Sequence, residues 1–318
     1  MKVIEHLEKA TNKLISFEII PPKRGGNVKM LLEALEDLVK FNPPFIDITS
    51  HAAEVIYEET PSGDFRMKVK RKRPGTLGIC ALIQNKYNID AVPHVICQGF
   101  TKEETEDFLI ELHYLGIENV LAIRGDDNGF RKPVKFGRST NRYAAELVQQ
   151  ISDMNKGKYL EDSLLDAEPM NFGIGIGGYP EKHFEAPNLK TDINFTKEKI
   201  KAGGEYIVTQ MFYDNNSFFN YLGLCRESGV DVPIIPGLKI ITSKNQLSTL
   251  PSNFYVDIPT ELSDEINSAS SKHAAEIGID WAFKQSEELL NSKDVPAIHF
   301  YVMQNTSPIK KLMKKLGI

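Results

Sequence analysis

The sequence predicts an α/β fold: a single (β/α)8 TIM barrel with extended loops and extra helices before the last strand, one domain covering residues 1–318. Three observations lead there. Eight short β-branched runs alternate with helical stretches, no linker-like segment interrupts them, and polar residues recur at the ends of successive strands. Doubly wound sheets rarely use eight such units. A closed barrel does, and it builds its active site at the C-terminal strand ends.

The first strand is the run 16–20, Ser-Phe-Glu-Ile-Ile. Alternation sets Phe17 and Ile19 on one face and Ser16, Glu18 and Ile20 on the other, and Pro21-Pro22 stops the ladder. A helix follows with Leu31, Leu35, Leu38 and Val39 on one face, ended by Asn42-Pro43-Pro44. Strand two is 45–50, with Asp47 and Thr49 sharing a face. A loop carrying Pro61, Ser62, Gly63 and the basic run 68–73 reads as solvated, and a short helix over 77–87 leads to strand three at 91–97.

Thr101 to Glu104 is a capping box, and its helix is expected to bury Phe108, Leu112 and Leu115 before Gly116. Strand four, 119–123, ends in Arg124-Gly125-Asp126-Asp127. A helix over 141–154, a polar insertion over 156–170 and strand five at 171–176 come next. A helix at 194–202, strand six at 206–210, a helix at 215–228 and strand seven at 232–237 continue the alternation. About sixty residues, long for one βα connection, then hold two or three helices. Strand eight is 297–302, and Ser307-Pro308 reads as an N-cap with Pro at the first position of a last helix ended by Gly317.

Composition narrows the function. A net charge of −5 argues against general nucleic-acid binding, and no apolar run is long enough to span a bilayer. Cys80, Cys97 and Cys225 are odd in number and widely spaced, so they read as buried thiols of a reducing cytoplasm. His94, Cys97 and His183 lack metal-ligand spacing, so no metal site is expected.

The glycines of 172–178 match G-x-G-x-x-G, but they lie in a strand and its end and Tyr179-Pro180 follows, so the dinucleotide reading is set aside. They read instead as places where backbone approaches a flat ligand. Lys239, just past strand seven, reads as a lysine on a solvated loop, with a Schiff-base role as the alternative. Gln210 presents donor and acceptor side by side, with Phe212 and Tyr213 able to stack on a planar ligand or pack the next helix. His94 has inward parity at a strand end and reads equally as a buried core imidazole or as a functional one.

Together the run 16–22, Pro93-His94, Arg124-Gly125-Asp126, Tyr179-Pro180-Glu181 with His183, Thr209-Gln210, 234–237 and His299-Phe300-Tyr301 stand in a family's order. Over nearly its full length the chain resembles the methylenetetrahydrofolate reductases of the bacterial, single-domain kind, with no regulatory domain after the barrel. The resemblance implies an FAD-bearing barrel that takes hydride from NADH or NADPH. It reduces 5,10-methylenetetrahydrofolate to 5-methyltetrahydrofolate, ping-pong through FAD.

By position Glu18 matches the family's general acid, expected to face the Asp126 anion and hold a raised pKa. Asp126 matches an acid near the flavin pyrimidine edge that also contacts the pterin, and Gln210 and Gln246 match substrate-binding amides. Thr49, His94, Arg124, Gly125, Tyr143, Ala144, Tyr179, His183, Ala186, Asp192 and Lys199 match flavin-contacting positions. A homo-oligomer is also implied.

The chain departs from the pattern at four places. Phe195 and Glu198 stand where some bacterial members have Asn and Arg, Leu250 replaces a ligand-stacking aromatic, and Gln304-Asn305 stands where Asn-Arg is usual. A Schiff-base lyase using Lys239, or a flavin- or pterin-binding protein without turnover, are the rival readings.

Overall fold

The computed structural model describes residues 1–126 and 132–318. Its strands are β1 (Leu14–Ile19), β2 (Phe45–Ile48), β3 (Glu54–Glu59), β4 (Phe65–Lys70), β5 (Asp90–Ile96), β6 (Asn119–Ile123), β7 (Gly173–Gly178), β8 (Tyr206–Met211), β9 (Ile234–Leu238) and β10 (Ala297–Met303). Eight of them, all but β3 and β4, pair in parallel in chain order, and β10 closes on β1. This is the barrel the alternation predicts.

The helices are α1 (Val3–Lys9), α2 (Val28–Val39), α3 (Leu77–Leu82), α4 (Lys102–Tyr114), α5 (Ala144–Met154), α6 (Leu189–Ala202), α7 (Asn215–Glu227), α8 (Gln246–Phe254), α9 (Thr260–Ser268), α10 (Ser271–Asn291) and α11 (Ser307–Leu316). Phe17 and Ile19 face outward, into one apolar layer with Leu35 and Leu38 of α2 and Phe300 of β10. Inside the barrel Phe45, Val92, Leu121, Tyr206, Val208, Ile235 and Ala297 form a second cluster. Val3 of α1 joins it, and the Val3 N–H donates to Asn119 Oδ1 at the start of β6 (2.8 Å). The N-terminal end of the barrel is thereby plugged with apolar atoms, so polar side chains gather at the opposite end.

Several elements differ from the sequence reading. The basic run 68–73 lies not in a loop but partly in β4, which pairs antiparallel with β3 outside the barrel. Opposite charges face each other across that pair, Glu54 against Lys70 and Glu58 against Arg66, so a strand that reads as too charged is stabilised by its partner. Lys68 pairs with Glu58, and Lys72 with Glu54 at 2.7 Å.

The stretch 77–87 is α3 followed by a π-helical turn, Ile83–Tyr87, closed by Asn88 in the left-handed region (φ 53°). Helix α6 starts five residues earlier than its apolar pattern suggests, because Asn188 Oδ1 accepts from the Thr191 N–H (2.9 Å). The last helix has Thr306, not Ser307, at its N-cap position, the Thr306 hydroxyl donating to Asp37, with Pro308 inside its first turn. The Thr101 to Glu104 capping box is present with both of its bonds, but α4 buries Thr105, Leu109 and Leu112, while Phe108 and Leu115 are only partly covered. The long connection before β10 holds three helices, α8 to α10.

Candidate active site

The first stave delivers Glu18. Alternation turns it inward, and the register of β1 against β10 slips between Glu18 and Ile19, a bulge that aims the side chain at the barrel axis. Its neighbours across the ladder are Asp47 on β2 and Tyr301 on β10. Glu18 is 6% exposed, and its Oε2 lies 3.4 Å from Nε2 of His94. Burial, opposed by His94 and then reinforced by Asp47, pushes its carboxyl up to about 7, so it holds a proton into neutral pH.

Around it stands a ring of inward side chains from β1, β2, β5 and β10, with Lys239 just past β9. Asp47 Oδ2 is 3.7 Å from His94 Nε2, and His299 Nδ1 is 2.8 Å from the Ser16 hydroxyl. Lys239 is not on a solvated loop. Its Nζ donates to the Tyr301 carbonyl (3.3 Å), and burial lowers its pKa while Glu18 pulls the other way. The Tyr301 hydroxyl donates to the Thr209 carbonyl at 2.5 Å. That contact explains Gly237, where a Cβ would sit 2.2 Å from the same carbonyl and 2.6 Å from the Tyr301 ring.

The acid beside Glu18 is Asp47, inside the barrel. Asp126, expected to play that part, is exposed at the mouth, where its charge acts on His51 and Tyr179. Asp127 lies outside the described residues. Gly125, before Asp126, has φ +84°, which favours glycine, and a Cβ there would meet Ile96 at 3.2 Å.

The glycines of β7 have a different cause from the one expected. A Cβ at Gly175 would lie 2.4 Å from the Tyr206 ring, and one at Gly178 would lie 2.6 Å from the Tyr221 hydroxyl. Those two make room for buried tyrosines. Gly177 alone has ordinary space, and its carbonyl accepts from Lys199 Nζ (2.6 Å). Burial brings that ammonium down to about 8.

Tyr179, His183, Ala186 and Asp192 gather just past Gly177. His183 stacks edge-on against Tyr179 (4.7 Å), and its N–H donates to Asp192 Oδ2 (3.0 Å). Ala186 is buried in the same turn, its N–H on the His183 carbonyl (2.9 Å). Arg124 forms a two-pronged ion pair with Glu185. Tyr143 and Ala144 sit at the start of α5, with Tyr143 half exposed under the Arg142 guanidinium.

Thr49 Oγ1 and His51 Nδ1 are buried without a partner near the mouth. Orphaned polar atoms past β2, with an open glycine and a cation at the end of β7 on the same mouth, suit a polar, planar ligand such as a flavin.

The two amides are engaged locally. Gln210 sits where β8 bulges against β9, and its Oε1 accepts from the Met211 N–H (2.9 Å). Gln246 Oε1 accepts from Thr242 and Ser243 ahead of α8, leaving its NH2 for a ligand. Leu250 is 4% exposed, in an apolar cluster with Tyr213, Val256 and Leu262. Among the described residues no group of three or more His, Cys, Asp or Glu is placed to hold a metal ion. Among the described residues no helix is long and apolar enough to cross a membrane, and the three cysteines are free and buried.

Sequence reasoning missed Asp47 and His299 as members of this cluster. Inward parity was the available signal for Asp47, but only the closed barrel brings β2, β5 and β10 to one axis.

Comparison with known proteins agrees with this geometry. The chain is 29% identical over 325 residues to methylenetetrahydrofolate reductase 2 of Saccharomyces cerevisiae, covering all of this chain and 49% of the relative. It is 25% identical over 310 residues to the 5,10-methylenetetrahydrofolate reductase of Pectobacterium carotovorum, 96% of this chain and 90% of that one. The chain thus spans about half the length of the first eukaryotic relatives it matches. A solved structure described as an uncharacterized Clostridium thermocellum protein that binds two copies of 5-methyl-5,6,7,8-tetrahydrofolic acid shares the fold. Its TM-score is 0.61 at 13% identity, over 99% of this chain and 98% of that one. The methylenetetrahydrofolate reductase family model matches residues 2–317, and the chain belongs to that family.

Proposed function

We propose that the chain reduces 5,10-methylenetetrahydrofolate to 5-methyltetrahydrofolate with NADH or NADPH as hydride donor, through FAD bound at the C-terminal mouth of the barrel. The observation that carries the reading is Glu18. It is a buried, protonated carboxyl at the tip of the first stave, with a base, a second acid and a lysine around it. FAD held there would supply the hydride relay between the nicotinamide and the folate.

The chain supplies the rest. Thr49, His94, Arg124, Gly125, Tyr143, Ala144, Tyr179, His183, Ala186, Asp192 and Lys199 are assigned to holding the flavin. Lys199 and Arg124 offer cations to its phosphates, and Gly177 offers close backbone approach. Asp126 is assigned to its pyrimidine edge and to the pterin, where an anion disfavours negative charge on the ring and promotes hydride donation. Gln210 and Gln246 hold the folate. Glu18 gives its proton to the folate nitrogen as the five-membered ring opens to an iminium. Nicotinamide and folate use one site in turn, so ping-pong kinetics follow, and the Glu18 proton is needed only in the second half.

The test is the visible spectrum of the purified protein. A yellow protein that bleaches with anaerobic NADH and regains colour with methylenetetrahydrofolate supports the reading. A colourless protein that takes up no FAD overturns it.

A further inference from the structure

Beneath Glu18 the barrel holds a carboxyl with no evident occupation. Asp47 is fully buried, and neither of its oxygens has a hydrogen-bond partner. Nε2 of His94 is likewise unpartnered, and it stands 3.4 Å from Glu18 Oε2 and 3.7 Å from Asp47 Oδ2. A small turn of the ring brings that nitrogen within hydrogen-bond reach of either carboxyl. A neutral imidazole has one lone pair, so it can accept from only one of them.

We propose that Asp47 is a positioning residue for Glu18: its carboxyl proton occupies the lone pair of His94 Nε2, which leaves the Glu18 proton free to face the mouth. This rests on the reading of Glu18 as the acid.

The surroundings give Asp47 that part. From β1, Ser16 faces His299, not Glu18. From β5 His94, and from beyond β9 Lys239, both act to deprotonate Glu18. From β10, Tyr301 spends its hydroxyl on Thr209, and His299 is kept neutral by burial. Tyr206 of β8 lies nearer Asp47 than Glu18 in its influence. At the mouth, His51 answers to Arg73 and Asp126. Asp47 is the other carboxyl placed to engage His94 Nε2 in place of Glu18. Burial holds Asp47 itself well above the usual carboxylate range, so it has the proton to give. Without it, the Nε2 lone pair is open to Glu18, and the imidazole draws on the one proton that should face the mouth.

The experiment reads the Glu18 carboxyl directly, by infrared titration of protein made with isotope-labelled glutamate, the band assigned by its loss in Glu18→Gln. Asp47→Ala should lower the pH at which Glu18 deprotonates by about one unit, roughly a tenfold smaller protonated fraction at pH 8. Asp47→Asn, whose amide N–H can still donate to Nε2, should titrate like the parent. If Asp47→Ala titrates like the parent, or the Ala and Asn variants shift alike, the proposal fails.

Histidine nitrogen NMR of the parent gives a second reading that needs no variant to fold. His94 should be the Nδ1–H tautomer with Nε2 accepting, and a protonated Nε2 would overturn the proposal. Should Glu18→Gln still reduce folate, the acid role of Glu18 falls, while the Glu18 titration still decides the effect of Asp47.

Discussion

A carboxyl that keeps its proton at neutral pH must be dry enough to outweigh the cations around it, and Glu18 is so at the cost of stability. Its pKa rises from 4.5 to about 7 on folding, so its contribution is fully favourable below pH 4.5 and is lost as pH climbs through 7. Glu18→Gln, which cannot ionise, should therefore gain stability over the flavin-free parent between pH 5 and pH 8. The gain is on the order of 3 kcal/mol, read as a difference in thermal midpoint; equal midpoint differences at both pH values would contradict it. Gly237→Ala places a Cβ 2.2 Å from the Thr209 carbonyl and should displace Tyr301. A loss of at least about 2 kcal/mol in denaturant unfolding is expected.

At this scale the sequence was informative where one strand suffices. The parity of β1 turned Glu18 inward, and His94 followed from its own strand. Asp47 had the right parity too, but its closeness to His94 exists only after the barrel closes. Lys239 read as solvated because nothing local reveals that the Tyr301 carbonyl receives it. Asp126 carried the expected anion, yet it lies three residues past the end of β6, exposed at the mouth.

Elements were legible in proportion to how local their causes are. The eight staves, the α4 capping box and the three helices before β10 follow from alternation, caps and length. Thr101→Ala removes one side of that box and should cost about 1 kcal/mol, measurable by denaturant midpoint with unchanged slope. The β3 and β4 hairpin was not legible, because its charges are compensated only across strands. Its exposed pairs are worth little: Lys68→Ala should change stability by less than about 1 kcal/mol. The bulges at Glu18 and at Gln210 also escape single-strand reading, since each is a slip against a neighbour. Both fall at residues assigned to chemistry, where re-aimed side chains are most useful.

For the whole molecule, one end of the barrel is sealed and the other is reactive. Val3 and the apolar interior exclude water from below, which gives Glu18, Asp47 and His299 their dry floor. The mouth gathers the cations and orphaned polar atoms assigned to FAD and folate. The division of labour between the two half-reactions is the central claim, and anaerobic stopped-flow absorbance of Glu18→Gln tests it most directly. NADH should bleach the variant at close to the parent rate, and methylenetetrahydrofolate should then restore its colour at least about a hundredfold more slowly. Recovery at the parent rate would contradict the account.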